Sequence, residues 1–99
     1  MAPPSLAIHD VLAAVAGHDP HLADELRTAL LGGAAHYADL LKRARCDANW
    51  VVAAKRLSGL AASFSATELQ AAADEALAGA PGDPVALRRI TRAIVNLQG

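Results

Sequence analysis

From Asp47 to Leu69 the chain reads DANWVVAAKRLSGLAASFSATEL, and its apolar residues recur three and four positions apart. That spacing matches the turn of an α-helix and not the strict alternation of a half-buried strand. Trp50, Ala53, Leu57, Leu60 or Ala61, and Phe64 share one face, which is the expected core side, with Trp50 and Phe64 as its anchors. At about 100° per residue, Lys55 stands almost opposite Leu57. Its neighbours on the outward face are Val51, Val52, Ser58, Gly59 and Ala62. Two valines, very small residues and a single cation suit a partner better than they suit water. The face is therefore read as a docking surface.

The flanking sequence is helical in the same way. Asp19-Pro20 is a start signal, a capping carboxylate followed by a proline whose fixed φ suits the first helical position. Leu22, Leu26, Leu30, Ala34, Tyr37, Leu41 and Ala44 then follow at helical spacing. This helix is expected to end near Arg45, where Lys42, Arg43 and Arg45 complement the macrodipole. Gly32-Gly33 interrupts it, at a cost of about 2 kcal/mol relative to two alanines. The pair implies a bend, a close approach by another backbone, or a split into two helices. Asp47 is the expected cap of the central helix, which runs to about Phe64. Ser65-Ala-Thr-Glu68 has the form of a capping box. It opens a helix with Leu69, Ala72, Ala73 and Ala76 inward and Gly79 as its stop. Ala80-Pro81-Gly82 is a turn, and Asp83-Pro84 repeats the start signal. Leu87, Ile90, Ile94 and Leu97 are the expected inward stripe of the last helix. Ahead of all these, Ser5 can cap a short helix to about Ala16, closed by Gly17 and lying across one end as a lid.

Of the 99 residues, 25 are alanine, and only three are aromatic by the Phe, Trp and Tyr counts. No alternating β-branched run occurs. The expected fold is all-α: an antiparallel up-down-up-down four-helix bundle with a short N-terminal capping helix, in one domain over 1–99. Short connections make consecutive helices neighbours.

The net charge of −1 and pI near 6.4 argue against a nucleic-acid binder, whose footprint is basic. Lys42, Arg43 and Arg45, and Arg88, Arg89 and Arg92, read as solvated helix faces. No apolar run is long enough for a membrane span, and the N-terminus lacks the pattern of a secretory signal. A single cysteine, Cys46, makes no internal disulfide and fits a reducing cytoplasm. The histidines, His9, His18, His21 and His36, form no i, i+4 pair, so no metal site is expected. No cofactor loop, nucleophile elbow or triad is present, and no enzyme activity is expected.

Lys55-Arg56-Leu57-Ser58-Gly59, followed by Leu60-Ala61-Ala62-Ser63-Phe64 and a helix bearing Leu69, resembles the signature of the histidine phosphotransfer (HPt) domain of bacterial phosphorelays. The similarity is best over Leu40 to Ala76. It implies a helical bundle whose exposed motif, His-x-Leu-Lys-Gly, meets the receiver domain of a response regulator or hybrid kinase around an acidic pocket. Leu57 and Gly59 keep the pattern. Lys55 stands where the family has its phosphoacceptor histidine, and Ser58 where it has a lysine that helps neutralise the phosphoryl group. An imidazole, with a reference pKa of about 6.5, offers a free nitrogen near pH 7. A lysine side chain, at about 10.4, does so in only about one molecule in a few thousand.

The resemblance thus implies a monomeric pseudo-HPt protein without catalytic residues. It would bind receivers through Val51, Val52, Lys55, Arg56, Ser58, Gly59 and Ala62 without transferring phosphate. Two alternatives remain: phosphotransfer through the atypical His36, and a structural or dimerising bundle outside signalling.

Overall fold

A computed structural model describes Leu12, Ala14, Gly17 and residues 19–98. It contains four helices, α1 (Pro20–Arg43), α2 (Asp47–Ser63), α3 (Thr67–Ala78) and α4 (Pro84–Gln98), and no strand among the described residues. Most of the expected lid helix lies outside the described residues. Within it, Leu12 is helical and buried, and Gly17 has the left-handed φ of 63° that a helix-closing glycine adopts.

Helix starts follow local chemistry. Asp19 Oδ1 accepts hydrogen bonds from the amides of His21 (3.0 Å) and Leu22 (3.4 Å), satisfying two of the orphan donors that open α1. Asp83 Oδ1 accepts from Val85 N at 2.9 Å and opens α4 in the same manner. Two expected caps are corrected. Asp47 is the first residue inside α2; Cys46 precedes it as the cap, with no side-chain bond. There the Asp47 carboxylate acts on the macrodipole and not as a hydrogen-bonding cap. The expected capping box is not formed either, because Ser65 belongs to the end of α2.

Ser65 N donates to Ala62 O (3.1 Å), and Ala66 N donates to Ala61 O (2.8 Å). This pair of bonds is a Schellman closure. It requires a left-handed residue at its turn, and Ser65 supplies it at φ 55°. Ala66, the residue after, is buried against the core and caps α3 without a side-chain bond. The reversal from α2 to α3 is therefore made by backbone geometry and burial.

Gly32-Gly33 does not divide α1, which runs unbroken to Arg43, two residues short of the expected end. The close neighbour at Gly33 is a side chain and not a backbone. A methyl group on Gly33 would lie 2.9 Å from Leu60 Cδ2 of α2.

The principal packing runs α1 on α2, α2 on α3, α3 on α4, and α4 back on α1, a closed ring of four. Every buried residue among those described is apolar, and twelve of the twenty are alanine. The largest, Trp50, is fully enclosed, and its Nε1–H donates to Ala76 O at 2.6 Å. On α3 the buried residues are the expected Leu69, Ala72, Ala73 and Ala76. On α4 they are Ala86, Ile90, Ala93 and Leu97, while the expected Leu87 and Ile94 pack at the margin. At the outer end of α1, Leu22 is exposed.

Three seams carry polar ties. Arg27 Nη2 donates to the carbonyls of Leu97 (3.0 Å) and Gln98 (2.7 Å), holding the last turn of α4 to α1. Arg89 pairs with Glu75, and Asn96 Nδ2 donates to Glu68 Oε1, between α3 and α4. Ser58 Oγ donates to Asp74 Oδ1 between α2 and α3, the seam that the Trp50 bond also crosses. No side-chain hydrogen bond or ion pair crosses the α1–α2 seam among the described residues.

Two stability changes follow. Gly32→Ala, where a methyl meets nothing within 4 Å, should raise unfolding free energy by about 1 kcal/mol in urea denaturation, and Gly33→Ala by less, since Leu60 must move. Ser65→Gly should add about 1 kcal/mol by removing the left-handed penalty, measured in the same way.

Candidate functional site

The outward side of α2 is built by the same periodicity that makes its core side. Trp50, Ala53, Ala54, Leu57 and Ala61 are buried and fix the rotation of the helix. That rotation leaves Lys55, Arg56, Gly59 and Ala62 exposed, with Val51 and Ser58 half-buried. Val52, 47% exposed, is one of few large apolar side chains so open to solvent.

Lys55 has no carboxylate within 4 Å among the described residues. On the neighbouring α3, Asp74 Oδ1 accepts a hydrogen bond from Ser58 Oγ at 2.7 Å. The hydroxyl of Ser58 is thus engaged in joining two helices. One turn beyond Lys55, a methyl placed on Gly59 would meet nothing within 4 Å, so the backbone there is open to a partner's approach. Ser63 Oγ donates to Gly59 O at 3.0 Å and satisfies part of that exposed backbone.

The histidines lie elsewhere. His36 is exposed on α1, its ring tilted against Tyr37 at 5.4 Å. His21 contacts Glu25 at 3.1 Å in the first turns of α1. His9 and His18 lie outside the described residues. Cys46 is exposed ahead of α2. Among the described residues, no three His, Cys, Asp or Glu side chains gather to hold a metal ion. Nor is any helix long and apolar enough to cross a membrane.

Sequence reasoning missed a groove of about 420 Å³ between the end of α1 and the first half of α2. Leu40, Arg43, Ala44, Asn49, Val52, Ala53 and Arg56 line it. The available signal was the three-residue connection from Ala44 to Cys46, which turns α2 back along α1 so that Arg43 and Asn49 line the same groove.

The tie beneath the face is measurable. A double-mutant cycle of Ser58→Ala and Asp74→Ala should give a coupling of about 0.5–1 kcal/mol in urea unfolding. No family model, curated protein or solved structure matches the chain.

Proposed function

We propose that this chain is an HPt-like module of bacterial two-component signalling that binds receiver domains and does not transfer phosphate. The observation that carries the reading is Lys55, a solvent-facing cation without an acidic partner among the described residues, mid-way along a face of small and aliphatic side chains. The receiver's acidic pocket supplies the complementary charge. Removing water from such a contact strengthens the attraction, which falls from about 4 kcal/mol at 4 Å in a partly screened setting to about 1 in bulk water. Gly59 and Ala62 let the partner's backbone come close, and Val51 and Val52 supply apolar contact beside the charge.

On this reading the bundle is antiparallel, up-down-up-down. Cross-helix pairs support the alternation: Gly33 with Leu60, Trp50 with Ala76, and Glu75 with Arg89 alongside Glu68 with Asn96. The module acts as a monomer in the cytoplasm and has no catalytic step, because Lys55 cannot accept and return a phosphoryl group as an imidazole does. It occupies the receiver and excludes competing donors.

Binding to a panel of receiver domains by titration calorimetry tests this. Lys55→Glu should weaken any receiver complex at least about tenfold while the helical circular dichroism is unchanged. Unchanged affinity, or an acid-labile phosphoryl label on His36 after incubation with phosphorylated receivers, would overturn it.

A further inference from the structure

The α1–α2 groove has a composition that selects a ligand. Its floor is apolar, formed by Leu40, Ala44 and Ala53, with Val52 at the lip. Among the described residues its only charged lining groups are two guanidinium groups, Arg43 from α1 and Arg56 from α2. Arg56 has no ion-pair partner among the described residues. Arg43 Nη2 pairs with Asp39 Oδ2 at 2.7 Å, and both side chains are well exposed, 68% and 57%. An exposed pair of this kind holds its partner weakly, and a guanidinium has five N–H donors, so Arg43 keeps donors to spare.

The place is also distinctive within the bundle. The other three seams are crossed by hydrogen bonds or ion pairs, whereas this one is closed by apolar contact alone among the described residues. Its volume falls within the range of roughly 300–1,000 Å³ typical of small-molecule sites. From Asn49 to Arg56 the helix rises about 10 Å, the length of a medium-chain ligand and too short to seat a partner helix of several turns.

We propose that this groove binds a small organic anion, an aliphatic or aromatic body bearing one carboxylate. The body lies on Leu40, Ala44 and Ala53, and the carboxylate is gripped between Arg43 and Arg56. Bidentate guanidinium–carboxylate geometry gives the orientation, and burial of the apolar body gives most of the affinity. This site stands or falls independently of receiver binding, since it is tested on the chain alone.

Titration of the isotope-labelled protein with sodium decanoate, below its micellar concentration, tests the proposal by amide chemical shifts. Shifts should saturate and centre on Leu40, Ala44, Asn49 and Ala53. Decyltrimethylammonium at equal concentration should leave these amides in place, as should acetate, which lacks the body. The double variant Arg43→Gln, Arg56→Gln should keep its helical spectrum, because both side chains are exposed, and bind decanoate at least about tenfold more weakly. Shifts that grow without saturating, that scatter over the surface, or that are equalled by the cationic amphiphile or kept by the double variant would overturn it.

Discussion

Close approach of helices is the constraint from which the rest follows. Most of the buried positions are alanine, so little side-chain volume fills the space between the helices. Each alanine removes little apolar area from water, and the hydrophobic driving force rests on a few large residues. Trp50, Leu30, Leu41, Leu57, Leu69 and Ile90 are the largest that are fully enclosed. A core so tightly spaced has no slack for extra methylene groups, which typically cost about 1–3 kcal/mol when forced into a packed interior. At Gly33 the missing side chain makes room for one from α2: a methyl there would press on the end of the Leu60 side chain.

That spacing also explains what could be read from residue order alone. Asp19-Pro20 and Asp83-Pro84 mark real helix starts because their chemistry is local: a carboxylate reaching amides two residues away. The inward set of α3 was legible because Leu69 fixes the phase and the alanines around it follow. Alanine by itself carries little facial information, being tolerated in the core and at the surface alike. Hence Ala38, Ala54, Ala86 and Ala93 are buried without having been named, while Leu22 is exposed. Ser65 was misassigned because a serine three residues before a glutamate fits two backbone roles, and burial of Ala66 decides between them. The outward position of Lys55 followed from helical phase, its opposition to Leu57. The groove beside it did not, since its two arginines are thirteen positions apart and meet only when α1 and α2 pair.

One helix therefore serves two surfaces. The inner side of α2 is held in rotation by Trp50, Leu57 and Ala61, and that registration decides what the outer side presents. Ser58 joins the two roles: it lies on the flank of the outward face, yet its hydroxyl is committed to Asp74 of α3. The proposed receiver contact at Lys55 and the proposed anion groove at Arg43 and Arg56 share Val52 and Arg56 at their border. A single bound anion and a docked receiver would then compete for the same strip of helix.

The enclosure of Trp50 has a practical consequence of its own. It is the sole indole of the chain, shielded from water and hydrogen-bonded to a carbonyl of α3. Its fluorescence should be blue-shifted and inaccessible to iodide, and it reports the α2–α3 seam from inside. A surface substitution on α2 that leaves this emission untouched has left the α2–α3 seam in place, so the protein carries a built-in optical control for that part of its scaffold.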